Sequence, residues 1–360
     1  MKTKIVKIDS EKSTFSAQEE NALKEAGEIL RRGGLVAFPT ETVYGLGGDA
    51  LNKESSRKIY AAKGRPSDNP LIVHIAETDD LYEIAKDVDE NVLKIANAFW
   101  PGPLTIILPK KDVVPAETTG GLQTVAVRLP SCPAARKMIS YAGGYVAAPS
   151  ANVSGRPSPT VAKYVIEDMD GRVDMIIDGG EVGIGLESTI LDLTVVPPQI
   201  LRPGYITQDM LNEVLGEVDV DKTILDDTTG LAPKAPGMKY RHYAPKGELT
   251  IVAGAGDDVI AYINEQTAHM VQEGKKTGVI ATGENFDKYN AEIVKNLGNR
   301  ADESSVARNL YRVLREFDDE AVQVIYSESF SEGGMGQAIM NRLLKAAGHK
   351  VIDLTGKVKK

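Results

Sequence analysis

Thr124-Val125-Ala126-Val127-Arg128-Leu129, closed by Pro130, reads as a β-strand from its alternation and its β-branched residues. Side chains alternate faces along a strand, so Val125, Val127 and Leu129 share an apolar face that belongs to a core. Thr124, Ala126 and Arg128 share the other. A hydroxyl and a guanidinium beside a small alanine suit the floor of a ligand site, although an ordinary solvated face has the same pattern. Residues 71–75 obey the same rule. Leu71, Val73 and Ile75 turn one way; Ile72 and His74 turn the other. A lone histidine on a strand is more often a hydrogen-bonded core residue than a ligand.

Outward from these two strands, further strands are expected at 35–38, 104–108, 145–148, 175–177 and 189–193. Helical patterns lie between them. Ser16 and Glu19 form a capping box for a helix that runs towards Arg32 and stops at Gly33-Gly34. Asn52 caps a second helix that ends at Gly64. Other helical patterns span 81–99 and 134–141. This alternation predicts an α/β or α+β domain over 1–212 with one large core. Asp209, Glu213, Glu217, Asp219, Asp221, Asp226 and Asp227 then run against Lys222 alone into Pro233, Pro236 and Gly237. An acidic run entering a Pro/Gly-rich stretch marks a linker, expected over 213–246. Beyond it, strands at 249–253, 278–281 and 322–326 alternate with helices at 257–271, 304–317 and 337–347. They predict a smaller, Rossmann-like α/β domain over 247–360.

Two domains also suit a chain of 360 residues. With 51 Asp and Glu against 42 Lys and Arg, the formal net charge is −9. That balance argues against a non-specific nucleic-acid coat but leaves room for a local cationic pocket. One cysteine, Cys132, excludes an intrachain disulfide framework and any multi-cysteine zinc site. The N-terminal dozen residues alternate lysine with apolar residues. No apolar run approaches the roughly 18 residues of a membrane span, so a cytoplasmic protein is expected. There is no Gly-x-x-x-x-Gly-Lys-Ser/Thr phosphate loop. Gly183-Ile-Gly185-Leu-Glu-Ser188 lacks the third glycine and the strand-to-helix context of a dinucleotide fingerprint. No metal-ligand spacing of His, Asp and Glu is visible.

The cations of the first domain sit in turns pinned by proline and glycine: Lys63-Gly-Arg65-Pro, Arg128 before Leu-Pro, Arg156 after Ser154-Gly, and Arg202-Pro-Gly. Such turns hold side chains with little entropy left to lose. Basic residues converging from them would make an anion site for phosphate or carboxylate.

Eight segments can be read in order: Pro39-Thr-Glu-Thr-Val-Tyr44-Gly-Leu-Gly47, Lys63-Gly-Arg65-Pro, Asn69-Pro-Leu-Ile-Val-His74, Trp100-Pro-Gly-Pro-Leu-Thr105, Val125-Ala-Val-Arg128, Ala148-Pro-Ser150-Ala-Asn152, Glu187-Ser188-Thr-Ile and Leu201-Arg202-Pro-Gly204. Together they resemble the L-threonylcarbamoyladenylate synthase family, which carries a YrdC-like domain, and so imply an α/β fold with a twisted open mixed sheet. Pro236-Gly-Met-Lys-Tyr240-Arg-His-Tyr-Ala-Pro245 and the domain after it resemble the long, two-domain branch. The resemblance implies an enzyme that condenses L-threonine, bicarbonate or CO₂, and ATP to threonylcarbamoyl-AMP and pyrophosphate. Mg²⁺ would be held mainly by the ATP phosphates. It further implies that Thr42, His74, Arg128, the backbone of Ala148 and Ser188 hold threonine. Arg65, Asn69, Thr124, Ser150, Ser158, Arg202 and Tyr240 would hold ATP. Lys63 and Arg65 would be the catalytic cations, Lys63 screening phosphates or carbamate. Tyr240 would make the linker a lid. The product would pass to downstream tRNA threonylcarbamoyl-transfer machinery, with tRNA not bound tightly and no membrane involved. The alternatives are a non-catalytic RNA-binding module, or a carbamoyl-transfer enzyme of the hydrogenase-maturation type. The zinc-finger cysteines of the latter exceed what one cysteine supplies.

Overall fold

Ser16 accepts a hydrogen bond from the Glu19 amide, and the Glu19 carboxylate accepts one from the Ser16 amide at 2.9 Å, which starts the helix Ala17–Arg31. The Asn52 side chain caps Lys53–Lys63, and Gly64 ends it in the left-handed region at a φ of 62°. The helical pattern expected over 81–99 is two helices, Leu81–Ile84 and Glu90–Phe99. Asp87 takes a φ of 56°, and Asp89 accepts from the Val92 amide at 3.0 Å to cap the second. Aspartate competes with the helix for backbone partners and favours turns and caps, which an apolar repeat does not register.

The computed structural model describes residues 2–221, 224, 242–331 and 333–356. They fall into two compact units divided between Ile224 and His242, with Gly155–Pro157 grouped with the second. In the first unit the strands are β1 (Lys4–Lys7), β2 (Val36–Phe38), β3 (Gly45–Asp49), β4 (Ile72–Ile75), β5 (Leu104–Pro109), β6 (Thr124–Arg128), β7 (Tyr145–Ala148), β8 (Met175–Asp178), β9 (Thr189–Asp192), β10 (Gln199–Arg202) and β11 (Asp219–Val220). They form one mixed sheet in the order β1-β8-β2-β3-β7-β4-β6-β5-β9-β10-β11. At its centre β4 runs parallel to β6, with Ile72 beside Ala126 and His74 beside Arg128. β7 lies antiparallel to β4, with Ala148 beside Ile72.

Alternation sorts the faces as the sequence predicts. Val73, Ile75, Val125, Val127 and Leu129 join the main core. Ile72, Ala126, Ile107, Ile190 and Leu201 form a separate apolar patch on the opposite face. The acidic run begins inside ordered structure. Thr207 caps a helix over Gln208–Leu215, Leu211 and Val218 are buried, and β11 pairs with β10. Residues 222–223 and 225–241 of the expected linker lie outside the described residues.

The second unit has β12 (Glu248–Ala253), β13 (Thr277–Ala281), β14 (Ile293–Asn296), β15 (Val324–Glu328) and β16 (Val351–Asp353), all parallel, in the order β14-β13-β15-β12-β16. Helices Gly256–Gln272, Glu303–Asp319 and Gly334–Ala347 connect them, as expected of a Rossmann-like domain. At the end of β15 the buried Glu328 carboxylate accepts from the Thr282 amide and hydroxyl, Asn285 Nδ2, Tyr289 Oη and Arg300 Nη2. Among the described residues no helix is long and apolar enough to cross a membrane.

Candidate active site

Arg128, at the end of β6, is 3 % exposed. Its Nη1 donates to Thr42 Oγ1 at 2.9 Å, and its Nε donates to the Gly102 carbonyl at 3.3 Å. Its Nη2 stands 2.7 Å from Glu41 Oε1. The turn that delivers Glu41 and Thr42 is stiff. Thr40 Oγ1 donates to the Val43 carbonyl and accepts from the Val43 amide, while the loop beyond Gly183 straps the turn through Ile184 N to Glu41 O and Gly185 N to Thr42 O. Tyr44 completes the clamp, donating to Gly180 O at 2.8 Å and accepting from Gly179 N at 3.0 Å. Its hydroxyl is pushed up by burial and stays protonated.

His74 lies beside Arg128 in the sheet, with its ring at right angles to Phe38. Burial first, and then the Arg128 charge, lower its pKa to about 3. The imidazole is therefore neutral at physiological pH. It stands beside Arg128 as a neutral polar group rather than a second cation. Ser188, ahead of β9, meets Thr105 at 2.7 Å and receives Arg202 Nη2 at 3.1 Å, while Arg202 Nε binds the Ser188 carbonyl at 3.0 Å. Thr42, His74, Arg128 and Ala148 thus converge through the β4, β6 and β7 registers and the 40–44 turn. Ser188 is tied to Arg202.

Of the residues assigned to ATP, Arg65 and Asn69 lie in the turn before β4. Asn69 is fully buried, and neither atom of its side-chain amide has a hydrogen-bond partner among the described residues. Arg65 Nη2 donates to Pro70 O at 3.2 Å. Ser150 Oγ donates to Asn152 Oδ1, and Ser158 Oγ to Glu187 Oε1 at 2.6 Å. Thr124 opens β6 on the face of Arg128. Lys63 is 1 % exposed, and its Nζ donates to the Ser150 carbonyl and, at 2.6 Å, to the Asn152 carbonyl. In this arrangement its contacts order the 150–152 turn. Tyr240 lies outside the described residues. Glu41, Thr105 and Gly102 escaped the sequence reading. The one available signal was an acid between two threonines in an otherwise rigid turn. Among the described residues no three His, Cys, Asp or Glu side chains gather as a metal site.

Two family models match the chain: "Telomere recombination" over residues 28–204, and "Threonylcarbamoyl-AMP synthase, C-terminal domain" over 206–348. Among curated proteins it is 49 % identical to a threonylcarbamoyl-AMP synthase of Pyrococcus abyssi, over 93 % of this chain and 97 % of the relative. It is 46 % identical to the Bacillus subtilis protein of that name, over 98 % and 100 %. Among solved structures it resembles P. abyssi Sua5 complexed with L-threonine, at a TM-score of 0.90 and 45 % identity over 98 % of this chain and 99 % of that one. A double variant of the same archaeal protein gives a TM-score of 0.91.

Proposed function

The chain belongs to the threonylcarbamoyl-AMP synthase family, and we propose that it condenses L-threonine, bicarbonate or CO₂, and ATP into threonylcarbamoyl-AMP with release of pyrophosphate. The buried Arg128, forked between Thr42 and Glu41 on the open-chemistry face of the central strands, carries this reading. A guanidinium with little access to water is a receptor for a carboxylate, and threonine brings one.

The threonine nitrogen, as the free amine, bonds to the carbon of CO₂ with loss of a proton, or to that of bicarbonate with loss of water, and becomes a carbamate. A carbamate oxygen then forms a bond to the α-phosphorus while the bond to pyrophosphate breaks. The step brings anions together, so the protein's task is positioning and charge screening. Arg128 and Thr42 hold threonine with neutral His74, the Ala148 backbone and Ser188. The orphaned Asn69 amide, with Arg65, Thr124, Ser150, Ser158 and Arg202, receives ATP, and Tyr240 is proposed to join them. Lys63, bound to the carbonyls of the 150–152 turn, shapes the phosphate side. Mg²⁺ would be held by phosphate oxygens and water and would neutralise phosphate charge; among the described residues no acidic cage gathers for it. The product is consumed by tRNA-modifying machinery in the cytoplasm. The test is pyrophosphate release from ATP by the full chain. Dependence on both L-threonine and bicarbonate is expected, and release indifferent to threonine overturns the reading.

A further inference from the structure

Glu41 and Arg128 form a buried ion pair of an unusual kind. Glu41 is 8 % exposed and Arg128 3 %. Oε1 and Nη2 approach to 2.7 Å, yet neither Glu41 oxygen nor Nη2 makes a hydrogen bond with any described residue. The charges are adjacent and the hydrogen-bonding directions are unspent. A buried pair recovers its desolvation cost only when its geometry is good and its remaining lone pairs and protons are satisfied. Here they are not, although the backbone that carries Glu41 is fixed through its own carbonyl by Ile184 N. Glu41's charge is also felt nearby. The Glu11 carboxyl is raised by burial first, and then by Glu41.

An α-amino acid is the complement of such a pair, because it carries a carboxylate and an ammonium on one carbon. We propose that Glu41 is the ammonium anchor of the amino-acid pocket. The substrate's carboxylate takes the unspent Nη2 of Arg128, and its ammonium donates to the unspent Glu41 oxygens. The site then selects for an α-amino acid over a plain hydroxy acid. This rests on the proposed function and adds to it the group that reads the amine.

The test is calorimetric binding to the full-length protein of L-threonine and of 3-hydroxybutanoate, which is threonine without its amine. The unaltered protein prefers threonine strongly. In Glu41→Gln the threonine affinity falls about 30-fold while that of 3-hydroxybutanoate changes less than about threefold, so the preference collapses. Equal loss of both ligands would make Glu41 a mere brace for Arg128. Tighter binding of both would make it a competitor for the guanidinium. Either result overturns the inference. Glu41→Asp keeps the charge but draws it back by one methylene, and it gives the same readout if the Gln variant does not fold: weakened threonine with 3-hydroxybutanoate retained. Failure of the unaltered protein to bind threonine removes the proposed function. Threonine binding with an unchanged preference in the Glu41 variants removes this inference alone.

Discussion

In each unit a buried glutamate stands beside an arginine, and these two pairs have opposite hydrogen-bond accounts. In the second unit Glu328 collects donors from Thr282, Asn285, Tyr289 and Arg300. In the first unit Glu41 has Arg128 at 2.7 Å and no hydrogen bond from a described residue. A saturated carboxylate organises protein, and Glu328 gathers the loops after β13 and β15. An unsaturated one is held ready for something that is not protein. Proximity of charge alone does not separate these cases; the lone pairs do.

The comparison can be broken from either side. Arg128→Ala should have the largest effect, lowering kcat/KM for threonine in the pyrophosphate assay by about 1,000-fold while ATP binding changes far less. A loss below tenfold would deny Arg128 the carboxylate. Glu328→Ala should instead act on folding. It orphans four sets of donors and costs about 2–4 kcal/mol, read by denaturant titration as a lower midpoint. A purely catalytic defect with unchanged unfolding would reverse the roles assigned to the two pairs. Asn69→Ala sharpens the rule with a neutral group. Its amide has no hydrogen-bond partner among the described residues, so truncation should shift stability by less than about 1 kcal/mol and weaken ATP about tenfold. His74 adds a pH dependence that is read by titration rather than by truncation. Its folded pKa, about 3, lies below its unfolded value. Stability is therefore fully present above about pH 6.5 and is lost as the pH falls through the window down to about 3. In Arg128→Ala, NMR titration should place the His74 pKa higher, because one of its two depressing causes is gone.

Much of this was legible in the chain. The faces of 124–129 and 71–75 follow from period-two alternation, and the caps at Ser16, Asn52 and Gly64 from local chemistry. The cations Lys63, Arg65, Arg128 and Arg202 announced themselves by the rigid turns around them. Three of the features that were not legible show why. The break at Asp87–Asp89 hides in an apolar repeat that continues across it. The strand Gly45–Asp49 is too glycine-rich to carry a strand signature, and it forms because Val36 and Ala147 offer it ladders on both sides. The partnership of Glu41 with Arg128 spans 87 positions and exists only once the sheet is assembled. Lys63 shows the limit from the other direction. Its sequence context marks a phosphate cation, whereas its ammonium contacts backbone carbonyls at 150 and 152.

The place of β8 in the first sheet has a consequence for how the chain is made. It inserts between β1 and β2, so Met175 pairs with both Lys4 and Val36. A nascent chain that has left the ribosome only as far as the central strands therefore carries two unfilled edges near its N-terminus, and closing them waits on a segment synthesised much later. Until then those edges are templates for pairing with other chains. Slow translation ahead of residue 175 would lengthen the time for which those edges stand open.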